Sequence, residues 1–342
     1  MRSPPYQKNL RNIQDVDLAV RGYVRRRTDD QIKIGFGQFH SPSLEEYQRN
    51  SYHISRWAGA AGFQERIAEQ LGRVQGELDF LLLPEVFAPL GLDQAFRDFV
   101  LESGTIVVAG MEYDAQPDER LYGSTEAKGA NRCFIYVPVG DTVERFEYAK
   151  MTRSQYDALS TQKRVDGQFT GFEMELGTRL LRFRHPAIGD FGVLICYDFS
   201  HLDIVHEINL SGRKAPLDLL IIVCHNPYEE LYRMCCLADC HRYYQYIAIC
   251  NVALYGGSGL FGPLRTKGTP RTLMYGGKNA EGLFVAHADI AGLRLARNTS
   301  DSRLSSADQG REINFQRRPG IYNVDWSGIR FSSVRAAARR RQ

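Results

Sequence analysis

The stretch Phe191-Gly192-Val193-Leu194-Ile195-Cys196-Tyr197-Asp198 decides how the chain is read. Five apolar or glycine positions run without a polar break into a thiol, an aromatic ring and a carboxylate. Such a run reads as a short strand covered on both faces, the pattern of a parallel sheet. Two further runs resemble it, each with one aspartate near its start: residues 79–84, ended by Pro84, and residues 217–223. Between and beside them the spacing predicts helices near 93–102, 201–211 and 230–244, and a helical region carrying Trp57, Phe63, Ile67 and Leu71. Strands are expected at 32–39, 105–110, 179–183 and 246–251, with a hairpin at 132–137 and 142–148 and a final strand pair near 258–261 and 282–289. Buried strands alternating with helices define an α/β fold, to which the hairpins add antiparallel pairing. Residues 151–175 are polar and irregular. Residues 1–30 read as an N-terminal extension, partly helical through Val16, Leu18, Ala19, Val20, Tyr23 and Val24. No Pro-, Gly- or Ser-rich linker divides the rest, so one compact body over 31–290 is expected, followed by a C-terminal extension over 291–342.

Composition narrows the function classes. The 342 residues carry 43 Lys+Arg against 40 Asp+Glu, a formal charge of +3, which supplies no steering field. Hydrophobic residues make up 43%, too many for a disordered chain. The longest apolar run, Leu219 to Cys224, falls far short of the roughly 20 residues a membrane helix needs. The last twelve residues hold Arg335, Arg339, Arg340 and Arg341 and no acid; we read them as a solvated or partner-covering tail, and nucleic acid is not expected as a partner. No apolar segment follows Met1, and the seven cysteines are irregularly spaced, so reduced thiols in a cytoplasm are expected.

Active sites in α/β sheets gather where strands end. Glu85 follows the run 81–84, Lys150 follows the second hairpin strand, and Cys196 follows 191–195, just before the helix near 201–211, whose N-terminus is expected to add positive potential at the thiol. A carboxylate to take a proton, an ammonium to stabilise an anion and a thiol to attack make a kit for covalent catalysis. Taken singly, each has an ordinary alternative: charged residues often sit at strand ends, and a cysteine in an apolar run is usually a small core residue.

Together the local sequences resemble the nitrilase superfamily of carbon–nitrogen hydrolases. Leu82-Leu83-Pro84-Glu85 resembles the segment holding that family's glutamate, Tyr148-Ala149-Lys150-Met151 the segment holding its lysine, and Gly192 to Asp198 the nucleophile segment. Gly110-Met111-Glu112 with Asn131, and Asn251-Val252 through Gly256-Gly257-Ser258-Gly259 and Gly262-Pro263, fit two further stretches. The resemblance runs from about Ile32 to about Asp289. It implies a four-layer α-β-β-α sandwich and hydrolysis of a small amide, ureide or carbamoyl compound through a thioester on Cys196, with Glu85 as base and Lys150 and the N–H after Cys196 holding the oxyanion. It implies no metal or organic cofactor. A second glutamate between lysine and cysteine is common in the family; Glu173 is the first candidate here, with Asp157 and Glu175 behind it. Tyr197 and Asn226 are candidate substrate contacts. Family members usually pair through the helices after the nucleophile and after the next strand, which implies a homodimer or larger assembly.

The chain also departs from the family pattern. Asp239-Cys240-His241-Arg242 stands where an Arg-Ala-x-Glu stretch is common, as if an ion pair had its charges reversed. Ser200-His201-Leu202-Asp203 replaces an aromatic-proline-glutamate run, and Cys224-His225-Asn226-Pro227 is an unusual loop facing the expected pocket. A zinc site built from Cys224, His225, Cys235, Cys236, Cys240 and His241 was weighed against core packing; there is no Cys-x-x-Cys pair, and Cys236 and Cys240 lie one helical turn apart, as core residues do. The rival reading of the whole chain is a nitrilase-like domain that senses a small ligand or serves as a partner-binding scaffold.

Overall fold

Alternate residues of the strand Phe80–Ala88 face opposite ways. Phe80 and Leu82 join one hydrophobic cluster, Leu81 and Leu83 another. The neighbouring strands Ile106–Met111 and Arg132–Val139 divide in the same manner, with Ile106, Val108, Cys133 and Ile135 on one side and Val107, Ala109, Phe134 and Tyr136 on the other. This is the period-2 alternation of a sheet buried on both faces. The computed structural model describes residues 12–49, 62–74, 76–113, 128–154, 157, 164–165, 168–169, 173–213, 215–264 and 271–298.

Two large sheets make up the body. A six-stranded sheet runs, edge to edge, Gly282–Ala288, Ile32–Gln38, Phe80–Ala88, Ile106–Met111, Arg132–Val139 and Thr142–Ala149. A seven-stranded sheet runs Asn12–Asp17, Arg179–Arg184, Phe191–Ile195, Leu219–Val223, Tyr246–Cys250, Gly259–Phe261 and Thr272–Tyr275. Their inner faces meet, as the edge-to-face contact of Phe80 and Phe191 across the interface shows, with ring centroids 5.0 Å apart. Helices cover the outer faces. On one side the helices Phe63–Arg73 and Asp93–Ser103 bury Ile67, Leu71, Phe96, Phe99 and Val100 at helical spacing, the second ending at Gly104 in the left-handed conformation (φ 74°) that glycine adopts without strain. On the other side Leu202–Leu210 and Glu229–Tyr243 bury Ile204, Val205, Ile208, Cys236 and Cys240. The result is the expected four-layer α-β-β-α sandwich.

Several local expectations change. Residues 12–17 form a strand parallel to Arg179–Arg184, where a helix was expected; Val16 and Leu18 are buried, and Arg182 grips Asp15 through two 2.8 Å bonds. The folded body therefore starts well before residue 31. It also continues past 290: the helix Ile290–Asn298 buries Leu293 and Ala296, and its buried Arg297 donates to Asp218 at 2.6 Å. The strands at 259–261 and 282–288 do not pair. The first lies between Tyr246–Cys250 and the unforeseen strand Thr272–Tyr275; the second joins the other sheet beside Ile32–Gln38. The polar stretch 151–175 supplies a three-residue strand, Glu173–Glu175. Residues 50–61 and 299–342, with Trp57 and the basic tail, lie outside the described residues.

The three central strands of each sheet are parallel, so their carboxyl ends gather at one end of the sandwich. There the strand Phe80–Ala88 leaves regular pairing between Leu83 and Ala88, and Val86 takes φ 49°. A bulge of this kind re-aims one side chain, here Glu85. The strand beside it must be bare at that point: a Cβ on Gly110 would stand 2.2 Å from the Pro84 carbonyl oxygen and 2.5 Å from Glu85 Cα. Gly110→Ala is thus expected to lower stability by about 1–3 kcal/mol, the usual cost of overpacking. Gly72→Ala, on a helix with nothing within 4 Å, should be neutral or stabilising by up to about 1 kcal/mol. Urea unfolding of the two variants checks the contrast; equal stabilities would show that the close approach at Gly110 is not a constraint.

Candidate active site

Glu85 sits on the bulge, buried, and its carboxylate accepts three hydrogen bonds, with one acceptor site of Oε2 left over. Oε1 accepts from the Lys150 ammonium and from Asn131 Nδ2, each at 2.8 Å. Oε2 accepts the backbone N–H of His225 at 2.9 Å. Three donors on one buried carboxylate fix its orientation tightly.

Lys150 ends the hairpin strand Thr142–Ala149, and only 1% of it is exposed. Its ammonium lies between two carboxylates, Glu85 at 2.8 Å and Asp157 at 2.9 Å. Burial works to lower its pKa, but the charges of Asp157 and then Glu85 prevail and hold it well above the usual lysine range. Asp157 is placed in turn by Tyr113 Oη at 3.0 Å and by the Ser154 N–H at 2.6 Å. Burial works to raise the pKa of its carboxyl, but the ammonium of Lys150 and the Ser154 N–H outweigh it and hold the pKa below the ordinary carboxylate value.

Cys196 follows Ile195 at the end of its strand, with φ 41°. It opens a five-residue 3-10 turn, Cys196–Ser200, and the α-helix begins only at Leu202. The helix dipole expected to act on this thiol is therefore a turn too far away. The positive charge near Cys196 is Lys150, whose ammonium feels the sulfur directly. Two residues on, the buried Asp198 accepts from Tyr148 Oη (2.7 Å), the Met151 N–H (3.1 Å), the Thr152 N–H (2.9 Å) and Thr152 Oγ1 (2.7 Å). It clamps the lysine segment to the cysteine segment. Burial raises its pKa against the pull of those donors.

The loop after Leu219–Val223 closes the site. Asn251 carries it: Oδ1 accepts the Asn226 N–H at 2.9 Å, and Nδ2 donates to the Asn226 carbonyl at 2.9 Å and the Gly256 carbonyl at 2.6 Å. Ser258 Oγ in turn donates to the Asn251 carbonyl at 3.1 Å. The late Asn…Gly-Gly-Ser stretch thus holds the loop whose N–H reaches Glu85.

Glu85, Lys150, Asp157 and Cys196 line one cavity of about 340 Å³, walled by aromatic residues including Tyr47, Tyr113 and Tyr232 and by the exposed Tyr197 and Tyr228. Among its described lining residues Lys150 is the sole cation. A buried carboxylate–ammonium pair beside a thiol can move a proton and stabilise an oxyanion. Of the residues predicted from sequence, Glu85, Lys150 and Cys196 come together, and Tyr197 and Asn226 line the same cavity. The carboxylate beside Lys150 is Asp157, the second choice. Glu175 is exposed, and Glu173 has only its backbone described, its side chain lying outside the described residues. Sequence reasoning missed Tyr113 and gave no role to Asn131 or Asp198; the Asp198 clamp had a signal, a charged residue two positions after the cysteine in an apolar setting. Arg242 does donate to Asp239, the reversed ion pair. Among the described residues no group of His, Cys, Asp and Glu is placed to hold a metal ion, and no helix is long and apolar enough to cross a membrane.

No family model matches the sequence, and no curated protein matches it. Solved structures do. The chain is similar to XC1258 from Xanthomonas campestris, a CN-hydrolase superfamily protein, with 14% identity over 78% of this chain and 94% of that one at a TM-score of 0.54. It is similar to Nit3 of Saccharomyces cerevisiae, from branch 10 of the nitrilase superfamily, with 18% identity over 80% and 97% at 0.52. It is similar to the C. elegans NitFhit protein, with 16% identity over 83% of this chain and 66% of that one at 0.55. The chain has the fold of the nitrilase superfamily.

The Lys150–Asp157 pair sets a pH-dependent expectation. A carboxyl whose pKa is lower in the folded state adds stability above its unfolded value of about 3.9, and that stability is lost as pH falls from there through the folded value. Asp157→Ala, which leaves the buried ammonium with Glu85 as its one remaining carboxylate among the described residues, should therefore cost about 1.5–3 kcal/mol near pH 7, less so below pH 4. Denaturant titrations of both proteins from pH 3 to pH 7 check this; a deficit independent of pH would remove the ion pair as its cause.

Proposed function

We propose that the protein is a hydrolase that cleaves a non-peptide carbon–nitrogen bond of a small amide, ureide or carbamoyl compound through a thioester on Cys196. The observation that carries the reading is the buried 2.8 Å contact of Glu85 with Lys150 in the cavity that Cys196 lines. The nitrilase-type fold of the chain supports it. Glu85 takes the Cys196 proton, and the thiolate adds to the substrate carbonyl. Lys150 and the Tyr197 backbone N–H stabilise the oxyanion. The tetrahedral adduct collapses as Glu85 returns the proton to the nitrogen, which leaves as ammonia or amine. Water then enters, gives a proton to Glu85 and attacks the thioester; Cys196 leaves with that proton, and the acid departs. Each proton taken is returned, and water is the only co-reactant.

Asp157 fills the role of the second carboxylate: together with Glu85 it holds the Lys150 ammonium in place, and Asn131 and Asp198 position the groups it works with. Tyr197 and Asn226 belong to the substrate pocket. On the same reading the protein works in the cytoplasm on a small molecule and pairs with a second copy. The exposed Leu202 on one outer helix and Leu231 and Met234 on the next supply an apolar face suited to that pairing.

Ammonia release from a panel of amides, ureides and nitriles tests the activity. Cys196→Ala is expected to abolish it while Cys133→Ala and Cys250→Ala keep it. Lys150→Met should lower the rate roughly 100- to 1000-fold, the cost of removing one oxyanion donor. Wild-type rates in Cys196→Ala would sink the covalent mechanism. Glu85→Gln keeps the shape and removes the base, so alkylation of Cys196 by iodoacetamide near neutral pH should nearly cease in it; unchanged alkylation at every pH would take that role from Glu85. A chain that turns over nothing on the panel would favour a sensor or scaffold.

A further inference from the structure

His225 is only 6% exposed and lines the cavity beside Glu85 and Asn226. Its backbone N–H serves Glu85, yet neither of its ring nitrogens has a hydrogen-bond partner among the described residues. The ring is held edge-on by two aromatic neighbours, Tyr47 with centroids 5.0 Å apart and Tyr255 at 5.6 Å. Buried polar atoms are nearly always paired, and two orphans on one fixed ring in a cavity wall mark a place where a ligand supplies the partners.

Three tyrosine hydroxyls of the cavity wall are already engaged. Tyr47 Oη donates to the Val86 carbonyl, Tyr113 Oη to Asp157, and Tyr232 Oη pairs with Ser200 Oγ at 3.0 Å. Lys150 is enclosed by its two carboxylates. Lys150 is the sole cation among the described lining residues and serves the reacting oxygen, which leaves no second cation there for a carboxylate elsewhere on the ligand.

We propose that the His225 imidazole selects the substrate, hydrogen-bonding as a neutral donor and acceptor to an uncharged polar group, such as a second amide or ureide, carried beyond the scissile carbonyl. The inference rests on the amide-hydrolase reading and deepens it. The enzyme then prefers neutral polar amides over hydrocarbon amides of the same length, and over amides carrying a carboxylate. The state of the ring agrees: burial first, and the Lys150 charge second, push its pKa down to about 3, so it stays neutral throughout the physiological range. A neutral imidazole has one N–H donor and one acceptor nitrogen on diverging sides of the ring, so a carboxamide can pair with either, through its oxygen or its N–H, whereas an ionised carboxylate finds one donor and no counter-charge.

The probes are succinamide, butyramide and succinamate, assayed for kcat/KM by ammonia release with wild type, His225→Leu and His225→Gln. The expected preference for succinamide over butyramide is about tenfold or more in wild type, the effect of leaving a buried polar group unpaired. It should fall to about one in His225→Leu and survive in part in His225→Gln, which keeps a donor and an acceptor. Succinamate should be poorer than succinamide. An unchanged ratio in His225→Leu, or a wild type that prefers butyramide or succinamate, overturns the proposal. Should His225→Leu not fold, the order of the three compounds in wild type and the ratio in His225→Gln decide it. Calorimetric binding of the same compounds to Cys196→Ala separates this inference from the hydrolase reading. Tighter binding of succinamide than of the other two, without turnover in wild type, would sink hydrolysis and keep the role of His225; equal binding of all three, or of none, would sink that role.

Discussion

The site is organised around one buried ammonium. A lysine that is 1% exposed in a sandwich of apolar strands is costly unless its charge is met on the spot, and here two carboxylates meet it. That requirement reaches far into the fold. Glu85 must leave its strand on a bulge to face Lys150, so the neighbouring strand carries Gly110 where any side chain would collide. Asp157 must be held by Tyr113 and Ser154. The second oxygen of Glu85 needs a donor, which His225 supplies from the facing sheet, on a loop that Asn251 and Ser258 pin. The two sheets are thus tied to each other by the chemistry of the site as well as by the apolar core.

The architecture was legible because its signal is local. Continuous apolar runs at 80–84, 191–195 and 219–224 mean strands buried on both faces, and each is followed directly by a residue that serves the site, Glu85, Cys196 and His225. Three features were not legible, for physical reasons. The strand Asn12–Asp17 has polar residues facing the edge of its sheet, so only the tertiary pairing with Arg179–Arg184 reveals it. Partners of late strands depend on which sheet is open at its edge, and no property of residues 282–288 says that they join Ile32–Gln38. Asp157 lies in a polar, irregular stretch where neither period applies, and only its distance from Lys150 identifies it as a partner.

Cys196 illustrates how a correct position can carry a wrong cause. Its place ahead of a helix suggested that the helix N-terminus would act on the thiol. The 3-10 turn Cys196–Ser200 moves that helix away and leaves the field at the sulfur to Lys150. The same turn brings Asp198 back onto the segment 148–152, so the nucleophile and the cation are placed by one set of hydrogen bonds. Substitutions at Asp198 act on both at once, which is why the role of that residue shows only in three dimensions.

The central claim is that Cys196 attacks carbon with Glu85 and Lys150 arranged around it. Rapid-quench intact-mass spectrometry of the wild-type protein during turnover of a small amide, followed by peptide mapping, tests it most directly. The account predicts a transient mass increase equal to the acyl group, located on the peptide containing Cys196 and lost as water deacylates it. Turnover with no adduct on Cys196, or with the acyl group on another thiol such as Cys235, would contradict it.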